Sequence, residues 1–396
     1  MFELGQRDRE AMVAFLQDMV RIPSYSTQEK ALAERLAAEM RQVGFRDVHI
    51  DRIGNVVGRV GPGTGRVLLY GGHMDIVGAG DESTWEHDPF GAEINGGVLY
   101  GRGAADMKGA LAAMVYGVKA LLDRGICLLG ELYLVGTVQE EPCEGLGMKA
   151  LIEEEGLIPD SVLLGEATNL QISRGQRGRM EIQVVARGRS CHASAPHLGD
   201  NAIYTAARLI FGVEMLSSHL AEDRFLGRGT LAVTHIENTA GSRNAVPDSC
   251  TFYIDRRLTL GETEAKAMAE VQGVLLREDA DATISIPEYT STSYTGYRAR
   301  AKAYFPAWAL DRDHPLVQRV YRAIRGELRY RPAIGKWVFS TDGVYTMGVA
   351  GIPTVGFGPG EERYAHAADE RIHLADVLRA ARAYARIAVE VLGQRR

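Results

Sequence analysis

The stretch Arg66-Val-Leu-Leu-Tyr-Gly-Gly-His73-Met-Asp75 decides the fold. It is a short apolar run closed by two glycines, and it ends on a histidine and an acid. A run of this length bounded by turn residues reads as a buried strand. Three further runs repeat the arrangement. Glu131-Leu-Tyr-Leu-Val-Gly-Thr-Val leads to Glu140 and Glu141, and Ser161-Val-Leu-Leu-Gly leads to Glu166. Pro353-Thr-Val-Gly-Phe-Gly leads through a glycine-rich loop to His366. Asp106 follows Tyr100-Gly-Arg-Gly and is expected to head a helix over Met107–Leu122. In an open α/β sheet, ligands bind beyond the carboxyl ends of the strands. Two histidines and several carboxylates meeting there make a divalent-metal site, with too many anions for one tetrahedral zinc. The pattern points to a two-metal hydrolase.

Composition supports a globular enzyme. At 396 residues the chain is too long for one ordinary core and predicts two domains. Hydrophobic residues at 46% and charged residues at 24% lie at globular averages. A net charge of −6 gives no basic footprint for nucleic acid or an anionic membrane. The opening MFELGQRDRE lacks the apolar stretch of a secretion signal, and no apolar run is long enough to span a bilayer. The four cysteines, Cys127, Cys143, Cys191 and Cys250, form no close-spaced metal motif and are too sparse for a disulfide framework. A cytoplasmic protein with reduced thiols is expected.

Working outward, residues around 8–22 and 28–43 carry apolar positions at helical spacing (Met12, Phe15, Leu16, Met19; Leu32, Leu36, Met40). Strand and helix patterns alternate to about residue 176, which predicts a mostly parallel sheet. Between 179 and 291 the pattern changes. Strand-like Met180–Ala186, helix-like Asn201–Met215, strand-like Thr230–Ile236 and Cys250–Arg256, helix-like Glu262–Leu276 and strand-like Ala282–Ile286 follow one another. That is the ferredoxin-like order. The expectation is an α/β metallohydrolase domain, 1–178 and 292–396, with an inserted ferredoxin-like α+β lid and dimerisation domain, 179–291.

Alternate residues on a strand face the same side, so the Asp75 carboxylate is expected to hydrogen-bond His73 and fix its tautomer. Adjacent Glu140 and Glu141 point different ways at a strand end, which suits one for metal and the other for water. Taken with Gly101-Arg-Gly-Ala-Ala-Asp-Met-Lys-Gly109, Gly165-Glu-Ala-Thr168 and Ala365-His-Ala-Ala-Asp-Glu370, these motifs resemble the two-zinc amidohydrolases. That family includes acetylornithine deacetylase, succinyl-diaminopimelate desuccinylase, aminoacylase and the glutamate-releasing carboxypeptidases. The likeness runs in order over essentially the whole chain. Arg174-Gly-Gln-Arg-Gly-Arg-Met-Glu-Ile, Val246–Arg257 and Ala303-Tyr-Phe-Pro-Ala-Trp look most like a narrower branch, the selenium-metabolism-linked hydrolases, whose name defines no substrate.

The resemblance implies that Asp106 bridges two metals, with His73 and Glu166 completing one and Glu141 and His366 the other. It makes Glu140 the general acid/base and Asp75 the orienter of His73. It makes His192, in Gly188-Arg-Ser-Cys-His-Ala-Ser-Ala-Pro, a histidine that crosses a homodimer to hold the oxyanion. Arg177, Asn244 and Arg257 would grip a substrate carboxylate, with Asp255-Arg256-Arg257 leaving open which arginine faces the site. Ser340-Thr-Asp-Gly343 resembles a substrate-contacting turn. His197 reads as a surface residue, and His49, His87, His219, His235, His314 and His373 carry no motif. The implied reaction is hydrolysis of an amide-type bond in a small carboxylate-bearing molecule, an N-acyl or N-carbamoyl amino acid, using two divalent ions, Zn2+ before Co2+ or Mn2+. A dipeptidase or carboxypeptidase is the alternative on the same fold. A non-catalytic binding protein would be expected to lack Glu140 or a ligand, and neither is missing.

Overall fold

In the computed structural model, which describes residues 1–395, the opening run forms the strand Val67–His73. It lies inside a nine-stranded sheet whose order is Arg46–Ile50, Val56–Val60, Glu131–Thr137, Val67–His73, Ser161–Leu164, Thr354–Gly356, Ile172–Gln176 and Trp308–Ala309, with Ile334–Trp337 also paired to Ile172–Gln176. The four central strands, from Glu131–Thr137 to Thr354–Gly356, run parallel; antiparallel pairs flank them on both sides, and Ile334–Trp337 joins Ile172–Gln176 in parallel. Because these central strands point the same way, their carboxyl ends share one rim.

Alternation along the strand sets the layers. Leu68 and Tyr70 face a core built with the helices Gly109–Leu122 and Leu374–Leu392, whereas Leu69 packs with Met148, Leu151 and Trp337 on the other face. The Tyr70 hydroxyl donates to the Tyr384 carbonyl at 2.6 Å, so a buried phenol is satisfied and the last helix is fixed to the sheet. Helix Gly109–Leu122 is buried along almost its whole length, which explains why its sequence is apolar all round.

The helix expected from Met107 starts at Gly109 instead. Residues Ala104–Lys108 form an irregular turn with a cis Asp106–Met107 bond, and Asp106 has φ −128° and ψ 88°. Asp106 therefore is no helix cap; its carboxylate is turned towards the two histidines.

The second sheet has the order Thr230–Asn238, Ser249–Leu258, Gly178–Arg187, Ala282–Ser285, every neighbour antiparallel. With helices Ala202–Leu216 and Glu264–Arg277 this is the ferredoxin-like arrangement. Its apolar cluster includes Ile182, Val184, Leu209, Val213, Phe252, Ile254, Val271 and Val274. The helix starts carry side-chain caps: Asn201 accepts from the Ile203 amide and Thr263 from the Lys266 amide. The return to the first sheet differs from a clean break at residue 292. Strand Glu288–Thr292 spans that point in a hairpin with Arg298–Lys302, and Tyr304–Phe305 then pairs with Gly178–Arg187. Among the described residues no helix is long and apolar enough to cross a membrane.

Gly117 sits where helices Gly109–Leu122 and Leu374–Leu392 cross, and a Cβ there would lie 2.7 Å from the Ala381 carbonyl oxygen. Alanine has the better helix propensity by ~1 kcal/mol, but backbone cannot move aside as a side chain can. Gly117→Ala should therefore destabilise by ~1–3 kcal/mol. A lower urea midpoint with unchanged m-value is the expected result.

Candidate metal centre and cleft

The shared strand rim gathers two overlapping sets of donors, His73 with Asp106 and Glu166, and Asp106 with Glu141 and His366. His73 follows directly from its strand, and Glu141 and Glu166 come from the loops after Glu131–Thr137 and Ser161–Leu164. Asp106 is common to both. Its Oδ1 lies 3.0 Å from His73 Nε2 and its Oδ2 3.4 Å from His366 Nε2. Glu166 Oε1 is 3.7 Å from His73 Nε2, and Glu141 Oε2 is 3.1 Å from His366 Nε2. All five residues named from the sequence as ligands are brought together.

The donor chemistry fits two divalent ions. Each set is one imidazole nitrogen with carboxylate oxygens, a combination that suits zinc, cobalt or manganese. Glu140 Oε1 and Glu141 Oε1 are buried with no hydrogen-bond partner among the described residues, and such orphan acceptors call for a cation or a donor. Electrostatics agree. Burial, with Glu166 and Asp342 adding to it against the pull of His73, drives the Glu140 carboxyl well above its ordinary range. Glu166 is raised likewise, by burial first. His366 is pushed up to about 10 by its hydrogen bonds to Asp106 and Glu141. For His73 burial acts downward, but Glu166 and Asp106 outweigh it and raise the ring well above its ordinary value.

The loops carrying these donors are held by other acids. The expected bond between the Asp75 carboxylate and His73 is replaced by a different one. His73 Nδ1 bonds the Asp75 main-chain carbonyl at 2.9 Å, while the carboxylate stands 3.8 Å from that nitrogen. The carboxylate instead accepts from the Glu140 and Glu141 amides at 3.0 and 3.1 Å and from the Ser26 hydroxyl at 2.8 Å. Those amides are buried and would otherwise be unsatisfied. Asp75 thus fixes the His73 ring through backbone and the Glu140–Glu141 turn through its side chain. Glu370 does the same for Asp106. It pairs with Arg102 at 2.8 Å and accepts from the amides of Gly103, Ala105 and Asp106 at 3.0, 2.9 and 3.0 Å. Glu370 closes Ala365-His-Ala-Ala-Asp-Glu370, but nothing in the sequence marks it as an acceptor of backbone amides.

Above the donors opens a cleft of about 360 Å³, bordered by Glu140, Glu144, Glu362, Arg179, Arg257 and Ser340 besides the ligand candidates. Arg257 borders it and Arg256 does not; Arg256 is buried beside Glu262 and Glu270 in the second unit. Strand alternation separates the two. Arg179 stands directly across from Arg257 in the sheet register and was missed, because the likeness pointed to Arg177. Arg177 lies before the strand, donates to the Arg228 carbonyl at 3.2 Å and does not border the cleft. Each cleft arginine has its own acid: Arg179 makes two bonds to Glu144, at 3.1 and 2.9 Å, and Arg257 two to Asp255, at 2.7 and 3.1 Å.

His192 and Asn244 also lie away from this cleft. They are exposed on a small ribbon in which Cys191–His192 pairs with Ala245–Val246, and Ala193 donates to the Asn244 carbonyl at 2.8 Å. His197 is exposed as expected.

A parallel-centred sheet with this histidine–carboxylate rim defines the class of metal-dependent amide hydrolases. The chain belongs to peptidase family M20/M25/M40, whose model matches residues 69–390. It is 43% identical over 376 residues to YgeY of Escherichia coli (strain K12), itself uncharacterized, covering 95% of this chain and 93% of that one. It is 34% identical over 292 residues to the succinyl-diaminopimelate desuccinylase of Gluconobacter oxydans (strain 621H), covering 69% and 75% of the two chains. The M20 family metallo-carboxypeptidase Sso-CP2 of Sulfolobus solfataricus shares the fold, with a TM-score of 0.76 at 18% identity over 97% and 99% of the two chains.

Asp342, fully buried, accepts from the Thr137 hydroxyl at 2.8 Å and the Gly145 amide at 2.9 Å, and burial raises its carboxyl from 3.8 to about 6. A raised carboxyl favours the folded state while protonated. That contribution is complete below its unfolded pKa and lost as pH rises through the folded one. In chelator, wild type should lose more stability between pH 4 and pH 7 than Asp342→Asn, whose carbonyl still accepts from the Gly145 amide and whose NH2 donates to a Thr137 hydroxyl turned to accept. Urea midpoints at the two pH values measure the difference; equal losses would contradict the assignment.

Proposed function

We propose that the chain hydrolyses an amide-type C–N bond in a small carboxylate-bearing molecule, an N-acyl or N-carbamoyl amino acid, with two divalent ions, zinc foremost. The observation that carries the two-ion reading is Asp106, one carboxylate with an oxygen towards each histidine. His73 and Glu166 would hold one ion and Glu141 and His366 the other. When bound, the ions supply Lewis acidity and favour ionisation of water at neutral pH.

The remaining chemistry falls to side chains. Glu140 borders the cleft yet belongs to neither donor set, and its Oε1 is free. It takes the proton of the attacking water and returns it to the leaving nitrogen. Arg257 exchanges its partner Asp255 for the substrate carboxylate in a bidentate pair. Arg179, bonded to Glu144 and lying over the Phe305 ring, stays in place as a wall of the cleft. Oxyanion stabilisation is assigned to His192 from a second copy of the chain, with Asn244 travelling on the same ribbon. Two observations support a dimer through the second unit: Tyr204, Phe211 and Met215 stand exposed on helix Ala202–Leu216, and Thr230–Asn238 is an open sheet edge. A cytoplasmic location agrees with four unpaired cysteines.

A panel of N-acyl amino acids, N-carbamoyl amino acids and dipeptides offered to the metal-reconstituted enzyme tests the substrate class; turnover confined to dipeptides would shift the reading to a dipeptidase. Glu140→Gln should lose turnover by ~100-fold or more while keeping its metal. Loss of one metal equivalent would mean that Glu140 and Glu141 have exchanged roles.

The dimer has its own test. Mixing inactive Glu140→Gln with inactive His192→Ala should regenerate activity, since a mixed dimer holds one site with Glu140 and a donated His192. Random exchange gives about a quarter of wild-type activity for independent sites in a symmetric dimer. Absence of recovery after demonstrated subunit exchange would place His192 outside the mechanism.

A further inference from the structure

The residue before Glu140 is tied to both halves of the molecule. Gln139 is fully buried and has φ +57°, a left-handed conformation rarely adopted by residues with a Cβ. Such a conformation persists only where the surroundings fix it. Its amide donates to Glu29 Oε1 at 3.1 Å, so three successive amides, Gln139 to Glu141, are accepted by the buried acids Glu29 and Asp75. Its side-chain Oε1 accepts from the Tyr289 hydroxyl at 2.9 Å and from the Ser291 hydroxyl.

Tyr289 and Ser291 are alternate residues on strand Glu288–Thr292 and so share a face. The hairpin they belong to has its ends on different bodies. At its base Ala303 donates to the Pro287 carbonyl at 2.9 Å and accepts from the Glu181 amide at 3.0 Å, which joins it to the second sheet. At its tip the Tyr294 hydroxyl donates to the Gly54 carbonyl and the Thr295 hydroxyl to the Arg52 carbonyl, both at 2.6 Å, which joins it to the first. Gln139 is gripped between the two attachments. A tilt of the second unit moves the base while the tip stays, and the strand between must shift against Gln139.

We propose that Gln139 is a positioning residue that couples the hairpin Glu288–Lys302 to the Glu140–Glu141 turn, so that the attitude of the second unit sets the direction of the Glu140 carboxylate. The link to turnover rests on the reading of Glu140 as proton carrier. The link to the turn does not.

The test removes the two hydroxyl donors with Tyr289→Phe plus Ser291→Ala in the full chain, with each single variant as the milder form should the pair fold poorly. Hydrogen exchange in chelator, which needs neither metal nor substrate, should show the peptide covering 138–143 exchanging about tenfold faster, with Val67–His73 and the second sheet unchanged. With a substrate from the panel, kcat should fall about tenfold or more while KM stays within about twofold and metal content is kept. Restoring Ser291 alone should recover part of both effects. Unchanged exchange in 138–143, or an increase spread over the whole chain, would reduce Gln139 to core packing and overturn the coupling. Faster local exchange with kcat untouched would overturn its role in positioning Glu140. If no panel member is hydrolysed, the reading of Glu140 fails while the exchange result still decides the coupling.

Discussion

The structure turns on one electrostatic constraint: several carboxylates must be packed within a few ångströms of one another at a buried sheet rim. Asp106, Glu140, Glu141 and Glu166 converge there, and burial alone would drive each to neutrality. Two devices make the crowding tolerable. Facing donors from His73 and His366 stand 3.0–3.7 Å from these carboxylates. A second set of acids, Asp75, Glu370, Glu29 and Asp342, is spent on backbone amides and hydroxyls of the donor loops. The outer acids thus hold in place the loops from which the inner ones project.

The inner set was legible in the sequence and the outer set was not, for a physical reason. Apolar runs mark strands, strands of one parallel sheet end on one rim, and polar side chains just past those ends have to meet. That argument needs no knowledge of distant pairing, and it gathered His73, Asp75, Glu140, Glu141, Glu166 and His366; the sorting of ligands from the rest, and Asp106 as the shared carboxylate, came from the family resemblance. Glu370 acts on Asp106 from 264 residues away through main-chain amides, which every residue but proline possesses and which therefore leave no trace in a motif. The same holds for Asp75, whose neighbour in sequence suggested a partner that its carboxylate does not take. Arg179 escaped because the chain passes from strand Ile172–Gln176 into strand Gly178–Arg187 around Arg177. In one unbroken strand Arg177 and Arg179 would share a face; the break between the strands turns Arg177 to the Arg228 carbonyl and leaves Arg179 at the cleft.

The cleft is polarised by its two walls. Acids come from the sheet rim, and Arg179 with Arg257 comes from the facing strands of the ferredoxin-like unit. Two guanidiniums side by side would repel, and the local partners Glu144 and Asp255 remove that repulsion. The two pairs differ in a way that separates their roles. Glu144 reaches Arg179 across the cleft from the donor side and joins the walls. Asp255 is on Arg257's own strand, two residues away, and joins nothing.

The position of strand Thr354–Gly356 has a consequence for how the chain reaches its fold. This strand lies between Ser161–Leu164 and Ile172–Gln176, in the interior of the first sheet, yet it is made almost two hundred residues after its neighbours. During synthesis the earlier strands emerge with a gap among them, and helix Gly109–Leu122 waits for the still later helix Leu374–Leu392. The ferredoxin-like unit depends far less on late chain, since its four main strands have been made by residue 285 and its last short pairing strand, Tyr304–Phe305, by residue 305. The smaller body can therefore close before the donor-bearing sheet, which must await its last-made interior strand.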